Sequence, residues 1–174
     1  MNPLDQLFHR NVLFLICCIV VSMIIVWRLP RGFPRSMSII IMLFSLDLAK
    51  GLDNTIGLEP FIFYNTNINP KFDFADALTW VLYPMIGYLF TYIFNRYRIE
   101  GMMITIYIIA WSCFAIVFEC VCVYFEGFTY IEWKLYYSFC VYLTVQMLYV
   151  LMFTTLKRRY VIDKREAKRS QMQA

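Results

Sequence analysis

The stretch MSIIIMLFSLDLAKGLDNTIGL (37–58) decides how this chain is read. Its first half is apolar enough for a lipid-embedded helix, but Asp47, Lys50 and Asp53 interrupt the second half. A charge near the centre of a membrane helix costs about 2.5–3.5 kcal/mol on insertion scales. Alone, the segment would insert poorly. It can span only if a surrounding bundle pairs or hydrates those groups, and whether it crosses sets the sidedness of everything after it.

Four further apolar runs surround it, roughly at 11–27, 74–94, 102–124 and 135–156. Each is close to the ~20 residues that a helix needs to cross ~30 Å of hydrocarbon. The composition agrees. Of 174 residues, 61% are hydrophobic, 19% aromatic and only 16% charged, and the mean hydropathy is +0.60. A soluble domain runs nearer ~45–50% apolar and ~25% charged, because water must wet its surface. This chain has too few polar residues to cover itself, so its solvent is mostly lipid. That excludes a cytosolic enzyme, a disulfide-stapled secreted module and a disordered tail.

Loop charges give an independent reading of the second segment. Arg28, Arg31 and Arg35 follow the first run, and Arg96 and Arg98 follow the third. The end of the chain (157–174) adds Lys157, Arg158, Arg159, Lys164, Arg165, Lys168 and Arg169. These twelve bases fall on one side, against Arg10, Lys71 and Lys134 on the other, only if the second segment crosses. Positive residues mark the cytoplasmic face. The expectation is an all-α transmembrane bundle of five spans, amino terminus outside, with a basic cytoplasmic tail.

The first run is not expected to be a cleaved signal: its larger basic cluster follows the apolar stretch, and Trp27-Arg28-Leu29 makes a poor cleavage site. All six cysteines fall inside spans and none forms a CxxC pair, so they read as small hydrophobes. Catalytic signals are absent. His9 is the sole histidine, and no Gly-rich phosphate loop, HExxH or GxSxG occurs. The chain is expected to be no enzyme and to need no cofactor or metal.

Polar residues fall in stripes at helical spacing. In the second span Asp47, Lys50 and Asn54 follow an i, i+3, i+7 course, with Asp53 at its edge. In the third the stripe is Asp76, Trp80, Tyr83, Gly87 and Thr91; in the fourth Thr105, Ser112, Ala115 and Glu119; in the fifth Ser138, Tyr142, Gln146, Tyr149 and Phe153. Polar groups avoid lipid, so these stripes are expected to face one another. The first span, with only Ser22, belongs on the periphery. Gly51 and Gly57 suggest close helix approach, and Tyr83-Pro84 a static kink.

Four acids, Asp47, Asp53, Asp76 and Glu119, then share the middle and outer bundle with one base, Lys50. Two readings follow. In one, Asp47 and Lys50 neutralise each other and the other acids cap helices or line a vestibule. In the other, Asp47, Lys50, Asp53, Asn54, Asp76, Tyr83, Glu119, Tyr142 and Gln146 form an outward-facing pocket for a cation, a proton or an amine-bearing ligand. Lys157, Arg158 and Arg159 could touch anionic lipid head groups, although setting orientation explains them as well. Nothing resembles a nucleic-acid platform.

At DLAKGLDN (47–54), FADALTWVLYP (74–84) and FEGFTYIEWKLYYSF (125–139) the chain resembles a group of small, uncharacterised multi-span proteins of spore-forming Gram-positive bacteria. Gly51-Leu52-Asp53-Asn54 is one residue tighter than the family's spacing, and Asp76 stands farther from Tyr83-Pro84. The resemblance implies the fold and a bacterial plasma membrane, and no activity. The function expected is that of a membrane-embedded accessory, sensor or assembly subunit, its partners the bilayer and either a second copy or another membrane protein. The alternative is a small oligomeric transporter or channel using the acidic pocket.

Overall fold

The computed structural model describes residues 10–56, 64–65, 74–125, 129–130 and 133–173. Among them are five helices: α1 (Arg10–Arg28), α2 (Arg35–Ile56), α3 (Phe74–Arg96), α4 (Met102–Tyr124) and α5 (Leu135–Gln173). A two-residue antiparallel pairing, β1 (Tyr64–Asn65) with β2 (Thr129–Tyr130), joins the α2–α3 connection to the α4–α5 connection. Four helical stretches are long and apolar enough to cross a membrane: Arg10–Arg28, Ala77–Arg96, Met102–Tyr124 and Leu135–Glu166. α2 is equally long, at 22 residues, but Asp47 and Lys50 dilute it. It nevertheless presents the same apolar surface, Leu43 being 59% exposed against 61% for Val117 on α4.

α3 is the hub. Gly87 to Tyr92 and Phe94 are all buried, because α3 packs along α1 and α2 on one side and meets α5 on another. α4 pairs chiefly with α5 and reaches α3 through rings, Phe90 lying 4.9 Å from Tyr107 and 5.5 Å from Trp111. The Tyr107 hydroxyl donates to the Phe90 carbonyl at 2.7 Å. α1 is peripheral, as its sequence predicts: it buries only Asn11, Val12, Ile19 and Ser22. Its first turns are pinned to the end of α4 by the Phe14–Phe125 stack at 4.6 Å, with Arg10 lying over Tyr124 and Phe125.

The half of the bundle at the α3–α4 turn holds a largely aromatic hydrophobic core of Phe33, Met37, Ile41, Tyr88, Tyr92, Phe94 and Phe153. Phe33 comes from the α1–α2 connection and meets Phe153 edge-on at 5.4 Å. Aromatic pairs favour such edge contacts because the positive ring edge meets the negative face. Gly32 admits this arrangement, since a β-carbon there would lie 2.6 Å from the Tyr92 ring. Between α3 and α4 the chain turns within Tyr97–Gly101, where Arg98 and Gly101 take left-handed φ values of 49° and 57°.

Two expectations change. The helix of the last span does not end at 156 but runs unbroken into the basic tail, 39 residues in all. No Gly or Pro follows Gly127, and Lys, Arg, Glu, Ala and Gln are strong helix formers, so nothing stops it. Close helix approach also does not occur at Gly51, where a β-carbon would have nothing within 4 Å; Gly57 lies outside the described residues. It occurs at Gly87, where a β-carbon would collide with Ser45 Oγ on α2 and lie 2.6 Å from the Tyr149 hydroxyl on α5. α3 stays helical through Pro84.

Gly87→Ala is therefore expected to lower the thermal unfolding midpoint of the detergent-solubilised protein, at a cost of about 1–3 kcal/mol for overpacking. Gly51→Ala, facing open space, is expected to leave that midpoint unchanged or to raise it slightly.

Candidate functional site

The fourth and fifth helices bring together the most polar part of the interior. Glu119 on α4 is only 6% exposed. The Ser138 hydroxyl donates to its Oε1 at 2.6 Å and the Tyr142 hydroxyl to its Oε2 at 2.7 Å. Ser138 in turn accepts from the Trp133 indole Nε1 at 2.6 Å. Ser138 and Tyr142 lie four residues apart, one turn of α5, so a single face carries both donors to the two oxygens of one carboxylate. In lipid each such hydrogen bond adds about 0.6 kcal/mol and at most about 1.7.

One further turn along α5, Gln146 is buried and hydrogen-bonded to Ser112 of α4 at 3.1 Å. With the amide turned so that its nitrogen faces acceptors, it also donates to the Ile108 carbonyl at 2.7 Å. Beyond that come Tyr149 and Ser45 over Gly87. Ser45, 1% exposed, donates to the Tyr83 carbonyl on α3 at 2.6 Å. Polar contacts thus descend the α5 face from Ser138 to Tyr149, and they engage α4 and then α2 and α3.

Lys50 joins this region from α2: its Nζ lies 5.7 Å from the centre of the Tyr83 ring, and Tyr83 neighbours Tyr142. Of the nine residues expected to form a pocket, the structure brings together Lys50, Tyr83, Glu119, Tyr142 and Gln146. Asp47 is not among them. Its side chain is exposed, and it makes no ion pair with Lys50. The i, i+3 neutralisation is replaced by separation. Ser45, Ile41 and Met37 turn inward because they fit against α3, and Asp47, about 200° around the helix from Ser45, is thereby turned out. The side chains of Asp53, Asn54 and Asp76 lie outside the described residues.

The stripes also shift in detail. Thr105 and Trp80 are exposed, whereas Ile108 and Cys122 are buried on α4. Ser45 and Trp133 had no place in the sequence pattern. Ser45 could have been found as the small polar residue one turn beyond Ile41 and two beyond Met37. Trp133 could not, since it enters from a connection. Among the described residues no three His, Cys, Asp or Glu side chains gather as metal ligands. Lys157, Arg158 and Arg159 are exposed near the α3–α4 turn, where Lys157 donates to Asn95 Oδ1 at 2.8 Å.

Compared with protein-family models, with curated proteins and with solved structures, the chain matches none.

In a double-mutant cycle, Glu119→Gln and Tyr142→Phe are expected to couple by about 1 kcal/mol in thermal unfolding, because both act on one contact. Glu119→Gln with Tyr149→Phe, whose hydroxyl sits at Ser45, is expected to add without coupling.

Proposed function

We propose that this chain is a five-span plasma-membrane protein, amino terminus outside and carboxyl terminus cytoplasmic, that works by assembling with another membrane component and not by catalysis. The observation that carries this reading is the condition of Glu119. Both its oxygens are occupied by donors from α5, so the polar interior fastens helices to one another. An ion path needs polar groups that can exchange partners, and a small accessory, sensor or assembly subunit does not.

The five-span count is supported by the strand pairing. It ties the α2–α3 and α4–α5 connections together, which puts α2 parallel to α4 and antiparallel to α3. Twelve basic residues then share one face, and the positive-inside rule orients the whole. The likeness of three segments to multi-span proteins of spore-forming Gram-positive bacteria accords with a plasma membrane. A second reading, a small oligomeric transporter for a cation, a proton or an amine, draws on the meeting of Lys50, Tyr83, Tyr142 and Glu119.

Two measurements test the proposal. A fluorescent-protein fusion after Lys71 is expected to be dark and an alkaline-phosphatase fusion there active, with the reverse after Ala174; a cytoplasmic Lys71 would remove α2 as a span. Liposomes holding the purified chain are expected to keep proton and potassium gradients as long as empty ones do. Flux that Glu119→Gln abolishes would replace the assembly reading with transport.

A further inference from the structure

The outward face of α2 carries a carboxylate where lipid should be. The depth of Asp47 follows from its neighbours. Ser45, two residues earlier, bonds to Tyr83 and abuts Gly87, and both lie midway along α3 (Phe74–Arg96). Asp47 is therefore near mid-depth, beside a helix apolar enough to span. The same side of α2 exposes Ile39, Ile40 and Leu43 at 57%, 44% and 59%, so that side is apolar and not a hydrated groove. Asp47 makes no hydrogen bond or ion pair with any described residue, and Lys50 is turned to Tyr83. One turn beyond Asp47, Gly51 has open space around it, so another backbone can come close.

We propose that this face docks a membrane-spanning helix of a partner protein carrying a lysine or arginine at mid-depth. The inference rests on the assembly reading above and names its partner chemistry. Charge complementarity selects the occupant: a lone carboxylate among aliphatic side chains is relieved by a base at the same depth, which would itself be disfavoured in lipid without it. A symmetric second copy sets Asp47 against Asp47, and the exposed base of α2, Arg35, lies about 18 Å along the helix from it. An uncharged helix would bury the carboxylate without a partner. The partner's apolar residues then cover Ile40 and Leu43, and its backbone approaches over Gly51.

The test uses the full chain in liposomes, with energy transfer to a synthetic Leu/Ala single-span helix bearing one central lysine. That helix is expected to bind at least tenfold more tightly than the same helix with leucine at that position or with its lysine moved two turns towards one end. Asp47→Asn is expected to bring binding down to the leucine level and Asp47→Glu to retain it. Asp47→Asn loses only an exposed charge, and an unchanged unfolding midpoint checks that it folds. Equal binding of the lysine and leucine helices, or no effect of Asp47→Asn, overturns the proposal. So does energy transfer between copies of the chain that depends on Asp47, which would make a second copy the occupant. Failure here with ion-tight liposomes removes the docking face and leaves the assembly reading, whereas Glu119-dependent flux removes the assembly reading whatever the probe helix does.

Discussion

Everything in this bundle depends on how near α2 and α5 can come to α3, and Gly87 sets that distance. With no side chain there, the Ser45 and Tyr149 hydroxyls occupy the space a β-carbon would fill. In lipid there is little hydrophobic gain in bringing helices together, because the tails are as apolar as leucine. Packing and hydrogen bonds must do it. Close approach supplies both: it brings Ser45 onto the Tyr83 carbonyl and seats Phe153 against Phe33 and Phe94.

From that contact the two halves of the molecule divide the work. The half at the α3–α4 turn is held by rings meeting edge to face around Phe33 and Phe153, an arrangement with geometric preference but no charge. The other half is held from one face of α5, where two hydroxyls satisfy a buried carboxylate on α4 and an amide bonds Ser112. Both use α5 as the common strut. Polar groups in hydrocarbon that are satisfied fix register; left unsatisfied they are costly.

Much of this was legible in the residues. α4 begins and ends where the apolar run of 102–124 does, and of the α5 stripe Ser138, Gln146, Tyr149 and Phe153 are buried and Tyr142 is half-buried. Periodicity works there because each residue is both polar or aromatic and inward. It fails on α2, where charge and burial part company: the sequence groups Asp47 with Lys50, but the inward face is chosen by what fits Gly87. A serine outranks an aspartate at such a contact because it is small and can bond to a carbonyl. Pairing across helices, as between Glu119 and Tyr142, is a tertiary fact that no single-helix pattern contains. The unbroken run of α5 was hidden for another reason. A change from apolar to basic composition marks where lipid ends, and helices do not stop for that.

That unbroken run has a mechanical consequence. At 1.5 Å per residue, α5 is about 58 Å long, close to twice the ~30 Å hydrocarbon thickness. Its packed part ends with Phe153 against Phe33 and Phe94 and Lys157 on Asn95, while about 24 Å of stiff helix carries on from Lys157 to Gln173. A rod fixed near one end turns small rotations into large sweeps. A tilt of about 5° at Lys157 moves the far tip by about 2 Å. Whatever shifts the packed part of α5 is thus coupled, by stiffness alone, to the position of the positive charge at its far end.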